Sequence, residues 1–171
     1  MDAFLAIASR RETRAYRPDP LPEAVVVRIL EAGRISGSAV NRQPWRFIVV
    51  QTREVLDRLA PTLYAPWNLA AAPLFVAILL QDARRGAYDG GRASQNMMLA
   101  AWNDGVGACP NGFQDEETAR TLLGVRPEQG LLMGISFGYP ARRRRPERRS
   151  PEAWLARAKR LPLEDLVQAR L

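Results

Sequence analysis

"SAVNRQPWRF", residues 38–47, places a hydroxyl, two amides and a Pro-Trp pair between a helix-like stretch and an apolar run. A chain that needed only a turn could use any small polar residues here. Asn41 and Gln43 each carry donors and acceptors, which suits a ligand edge that alternates the two. The same amides would also serve as loop caps ahead of a strand. Upstream, "PEAVVVRILEAGRISG" spaces Val25, Val26, Ile29, Leu30 and Gly33 at helical intervals, and Gly37 ends the pattern. Downstream, "RFIVV" has the length and β-branched content of a strand. Trp45 reads as core rather than as a stacking platform.

Further out, "DAFLAIASRR" predicts a first helix capped by Asp2, with Phe4, Leu5, Ile7 and Ala8 as its apolar stripe. Pro18 and Pro20 prevent it from continuing. After the central strand, "REVLDRLA" is helical and "PLFVAILLQ" is a buried strand. A long helix covers Asp89 to Asn103, and "DGVGACPNGF" reads as a glycine-rich connection. "DEETARTLLG" is a helix capped by Asp115 and ended by Gly124. "GLLMGISFGYP" is a third strand. "SPEAWLARA" and "LEDLVQARL" are short helical candidates at the end. No repeat or linker divides the chain, so residues 1–171 read as one α/β or α+β layered domain.

The 171 residues are 47% apolar and 25% charged, enough to build a core. No secretory leader is visible, and the run "AAAPLFVAILL" is too short for a bilayer, so the expectation is a soluble cytoplasmic protein. Cys109 is the only cysteine, so no internal disulfide can form. Histidine is absent, which excludes Ser-His-Asp and Cys-His catalysis and histidine-based zinc sites. No catalytic residue and no metal ligand set is assigned. A cofactor that supplies the chemistry becomes the economical solution.

The net charge is +7, and "RRRRPERR", residues 142–149, holds much of the excess. That run reads as solvated surface, with an anionic partner as the alternative. "RRETR", residues 10–14, gathers three permanent cations that repel unless an anion lies among them. The glycines of "VGACPNGF" allow backbone N–H groups to approach a ligand. Asp89 and the carboxylates of "QDEE" read as helix caps and surface groups.

In combination these stretches resemble the FMN-dependent nitroreductase family. That family's Arg-Arg-Ser-x-Arg-x-Phe/Tyr-x-x-Asp-Pro pattern stands here as "RRETRAYRPDP", and its Pro-Ser-x-x-Asn-x-Gln-Pro-Trp-x-Phe block as "GSAVNRQPWRF". "DGGRASQNMMLAA", "GVG", "GF" and "GYP" follow in the family's order. The resemblance implies an α+β, three-layer fold: a central, mostly antiparallel sheet flanked by helices, in an intertwined homodimer. It implies that Arg10 and Arg11 hold the FMN phosphate, with Lys159 and Arg160 as a second basic pair. Arg14 would lie near the ribityl chain and the flavin N1/O2 edge. Pro110, Asn111 and Gly112 would present backbone near N5, and Ser38, Ala39 and Asn41 would face the partner subunit's flavin. Glu12 stands where Ser is usual, Gly37 where Pro is usual, and "CPNGF" is about one residue shorter than common versions. No flavin contact is assigned between Arg53 and Leu69.

The implied activity is hydride transfer from NAD(P)H to FMN N5, followed by ping-pong transfer to a nitroaromatic, quinone or similar acceptor. A sensor or store of FMN without turnover is one competing reading. A basic nucleic-acid-binding module is another, disfavoured because no aromatic RNA-binding motif or zinc ligand set is present.

Overall fold

In a computed structural model, residues 1–81 and 86–168 are described; Asp82–Arg85 and the final three residues of the expected terminal helix lie outside them. The described residues form two compact units, Met1–Arg10 with the segment from Arg145 onward, and Arg11–Arg144.

The second unit is built on a four-stranded antiparallel sheet in the order β1-β2-β4-β3. Its strands are β1 (Trp45–Val50), β2 (Leu74–Leu80), β3 (Gly107–Asn111) and β4 (Gly130–Gly138). The segment expected to be a glycine-rich connection is therefore partly the edge strand β3. Gly107 and Pro110 hide the alternation that marks a strand, and pairing with β4 overrides their poor propensity. α2 (Glu23–Arg34) leads into β1, and α3 (Arg53–Leu59), α4 (Ala87–Asn103) and α5 (Glu116–Leu123) join the successive strands.

β2 explains the layering. All seven of its residues are buried. Leu74, Val76 and Ile78 pack with Ile29 of α2 and Ala93 and Met97 of α4. Phe75 and Ala77, pointing the other way, pack with Leu56 and Leu59 of α3 and Ala119 and Leu123 of α5. A strand apolar on both faces needs a helical cover on each, which gives three layers. Each large side chain so buried contributes about 1.5–3 kcal/mol. Trp45, as expected, is core at 4% exposure. The caps also match the sequence: Asp115 Oδ1 accepts the Thr118 N–H at 3.0 Å, and Gly124 ends α5 at φ 64°.

The first unit contains α1 (Ala3–Ser9), which packs against α6 (Pro151–Leu155); a short α7 (Leu163–Leu166) follows. Asp2 Oδ1 caps α1 by accepting the Leu5 N–H at 2.9 Å. The expected apolar stripe of α1 is only partly used: Ala8 is buried and Leu5 half-buried, while Phe4 and Ile7 are 53% and 57% exposed. No helix among the described residues is long and apolar enough to cross a membrane.

The β2–β4 register sets the Phe75 ring over Gly134, where an added Cβ would collide with it. Gly134→Ala should therefore destabilise the fold by about 1–3 kcal/mol through overpacking. In a Phe75→Leu background the added cost should shrink markedly, read by comparing urea midpoints across the four-member cycle.

Candidate functional site

The loop after α2 is held in an unusual backbone. Val40, Asn41 and Gln43 have φ of 45°, 53° and 49°. Left-handed conformations are poor for non-glycine residues, worst for a β-branched one, and each such residue costs on the order of 1–3 kcal/mol. Side chains stabilise it. Ser38 Oγ accepts the Gln43 N–H at 2.9 Å, and Asp89 Oδ2 accepts the Ala39 N–H at 3.1 Å. Gln43 Nε2 donates to Asn41 Oδ1 at 3.1 Å. Pro44 and Trp45 anchor the exit in the core, leaving Ala39, Val40 and Asn41 exposed and Ser38 half-buried.

Asp89 corrects the surface-group expectation. It is 5% exposed in the first turn of α4, and Arg92 stands 3.8 Å away. A Cβ at Gly37 would lie 2.6 Å from the guanidinium tip of Arg92, a flexible and half-exposed side chain.

The end of β3 carries a second arrangement. Asn111 Nδ2 donates to the Cys109 carbonyl at 2.9 Å and to Ser136 Oγ at 3.2 Å. Tyr16 OH meets Ser136 O and Oγ at 3.1 and 3.0 Å. Burial pushes the Tyr16 hydroxyl well above its ordinary pKa, so it stays a donor. Because a carbonyl only accepts, the amide of Asn111 must face Cys109 with its nitrogen. Its Oδ1 then accepts from Asn68 Nδ2 at 2.7 Å. Asn68 Oδ1 consequently points away, buried and without a hydrogen-bond partner among the described residues. A buried orphan acceptor costs roughly 1–3 kcal/mol. Such an atom is a ready partner for a ligand N–H.

Asn68 lies in the stretch to which the sequence assigned no contact. It sits on the single-turn helix Pro66–Leu69, pinned beside β3 by the Leu63–Phe113 bridge and by Tyr64 N–H to Gly112 O at 3.2 Å. Its only sequence signal is a polar residue inside an apolar run, "PWNLAAAP", which is too common to read alone.

The other expected residues are distributed as follows. Pro110 is half-buried, Asn111 buried and Gly112 exposed, side by side at the end of β3. Arg11 and Glu12 are half-buried and Arg14 exposed, on a segment tied to the sheet by Thr13 N–H to Ala108 O at 3.0 Å. The hydrogen bonds of Ser38 and Ala39 stay within their loop or run to α4, not to β3. Arg10, Lys159 and Arg160 belong to the first unit. Arg10 closes α1, its N–H on Ala6 O at 3.0 Å, and Lys159 and Arg160 are exposed.

Asp89→Ala removes a charge-assisted hydrogen bond worth roughly 1.5–3 kcal/mol to a strained loop. Trypsin should then cut the native protein after Arg42 faster than wild type, with the product followed by mass spectrometry. An unchanged cutting rate would show that Asp89 does not hold the loop.

Comparison with known proteins agrees with this geometry. A Nitroreductase family model matches residues 7–82 and 68–139. A protein of Methanothermobacter thermautotrophicus, provisionally designated an NADH dehydrogenase/NAD(P)H nitroreductase, is 33% identical over 151 residues, covering 82% of this chain and 78% of that one. The NADH dehydrogenase of Thermus thermophilus is 27% identical over 190 residues, covering 88% and 93%. Among solved structures, a provisionally named nitroreductase of Desulfovibrio desulfuricans, in complex with FMN, superposes with a TM-score of 0.81 at 27% identity, covering 100% and 98% of the two chains. With the three-layer antiparallel sheet, the loop and the β3 terminus in place, this chain belongs to the nitroreductase family.

Proposed function

We propose that this protein is an FMN-dependent oxidoreductase that takes electrons from NAD(P)H and delivers them to a small acceptor such as a quinone or nitroaromatic. The observation that carries this reading is the acceptor Asn68 Oδ1, buried on the side chain that bonds Asn111 at the end of β3 and lacking a donor among the described residues. The pyrimidine ring of a flavin presents an N–H of the kind this atom lacks. FMN, when bound, would accept hydride from the nicotinamide and pass the electrons on, chemistry that amino-acid side chains do not provide.

The residues of the chain then have positioning and electrostatic duties. The Tyr16–Ser136–Asn111–Asn68 chain fixes the backbone at Asn111 and Gly112, so the groups facing the flavin need no rearrangement. Arg14 holds a permanent positive charge toward the N1/O2 edge. Arg10 and Arg11, with Lys159 and Arg160, carry the charge that a phosphate monoester needs. Ser38, Ala39 and Asn41 serve a second copy of the chain. Their exposure, with Val40 85% exposed on a costly backbone, is what a surface awaiting a partner looks like. Such a protein acts as a homodimer with a small-molecule acceptor as its other partner.

The purified protein should be yellow, and acid-released flavin should run as FMN. Anaerobic NAD(P)H should bleach it, which a store or sensor without turnover would resist. Arg10→Ala should weaken FMN by about one to two decades, the loss of a charge-assisted bond of roughly 1.5–3 kcal/mol. Arg14→Ala should instead lower the flavin potential and slow its reduction, with less effect on affinity. Light scattering should give a dimer. Recovery of FAD, or a colourless protein that ignores added FMN, would overturn the assignment.

A further inference from the structure

The segments around Ala15 and Ala141 are locked together. Ala141 N–H donates to Ala15 O at 2.9 Å, Arg17 N–H donates to Tyr139 O at 2.8 Å, and Tyr16 bridges Pro140. Tyr16 is itself anchored by its hydroxyl on Ser136, so neither segment is free to swing away. The pairing gathers Arg14 and Arg17 from one segment and Arg142, Arg143 and Arg144 from the other around adjoining clefts.

The charges there are not neutralised from within. Several arginines elsewhere in this unit have acidic partners: Arg28 with Asp104, Arg53 with Asp57, Arg120 with Glu116, Arg126 with Glu128. Among the described residues, no carboxylate lies within ion-pair distance of Arg14, Arg142, Arg143 or Arg144. Only Arg17 has one, Asp19 at 3.4 Å, with both side chains 53% exposed. Five cations, only one of them ion-paired, on a pinned backbone make a field that favours an anionic ligand.

The shape narrows the ligand. Between Arg17 and the pair Arg143 and Arg144 is a cleft of about 530 Å³, with Tyr139 and Pro140 in its wall. A smaller cleft of about 260 Å³ shares Pro140, Ala141 and Arg144 and reaches Arg14. The Arg17 guanidinium lies 5.1 Å from the centre of the Tyr139 ring, a flat cationic surface of the kind that stacks on a base. Guanidinium forks match phosphate oxygens. A ligand with both a planar base and a phosphate is a nucleotide. NADPH differs from NADH by one phosphate on its adenosine ribose, and the cleft adjoins the arginine assigned to the flavin side.

We propose that the cleft lined by Arg17, Tyr139, Arg143 and Arg144 binds the adenosine 2′-phosphate of NADPH and makes the protein select it over NADH. This rests on the nicotinamide-dependent reading above. The 142–144 part of the arginine run then has a ligand and is more than solvated surface.

The test uses the purified full-length protein with its flavin. Calorimetry measures NADP⁺ and NAD⁺ binding, and steady-state kinetics with a quinone acceptor measures NADPH against NADH. Wild type should favour the phosphorylated form by about tenfold or more, the change that ~1.4 kcal/mol produces. In Arg143→Ala/Arg144→Ala both ratios should fall to near unity, while Arg58→Ala, on α3 and outside the cleft, should keep them. Equal ratios in wild type, or a preference that survives the double variant, would overturn the proposal. So would a double variant that loses duplex DNA binding with its nicotinamide ratios unchanged, which would assign the patch to a polyanion. A protein without flavin or turnover would overturn the proposed function alone if NADP⁺ still bound and the double variant lost it. Absence of NADP⁺ binding would overturn the cleft assignment directly.

Discussion

The burial of β2 on both faces is the constraint on which the rest depends. Seven consecutive residues without solvent access require a paired strand on each edge and a helical layer on each side. Once β4 pairs with β2, Gly134 must lie beneath Phe75, and Ser136 comes opposite Phe75 in the register. The β3–β4 register then sets Cys109 against Ser136 and Asn111 against Gly134. The polar chain at the end of β3 is thus a consequence of sheet register. A slip of one residue would turn Ser136 to the opposite face and dissolve it.

Strain and unsatisfied polarity occur at two places, the loop after α2 and the end of β3. The loop at residues 38–43 carries three left-handed residues, and the β3 terminus carries a buried acceptor without a donor. Each costs stability in the isolated chain, and neither is needed to build the sheet. Both are understandable if a cofactor and a second copy complete them. Asp89 links the loop to the core, because α4 must pack on the sheet before its first turn can receive the Ala39 N–H.

Charge follows a separate logic. The excess of arginine over acid is a property of the whole chain, but its effect is local. Many arginines are paired along helices at spacings of three or four residues, where they contribute a few tenths of a kcal/mol each. The cluster at residues 14–17 and 142–144 is assembled across about 125 residues of sequence by two backbone hydrogen bonds and a bridge, with the Arg17–Asp19 pair as its one ion pair among the described residues. Its field comes from tertiary pairing.

Local patterns in the sequence determined most helices, the buried strands, the caps at Asp2 and Asp115, the stop at Gly124 and the core role of Trp45. These depend on neighbours within one or two turns, so spacing alone reveals them. The motif order also made the family legible. Tertiary structure decided the rest. β3 exists because β4 offers it partners, which overrides glycine and proline. Asp89 is buried because α4 packs it against a loop 50 residues away, and Phe4 and Ile7 are exposed although their spacing is apolar. Asn68 matters only through Asn111, 43 residues further on, whose own orientation is set by a carbonyl on the same strand. Hydrogen-bond direction is a property of partners in space, and a linear string of residues does not contain it.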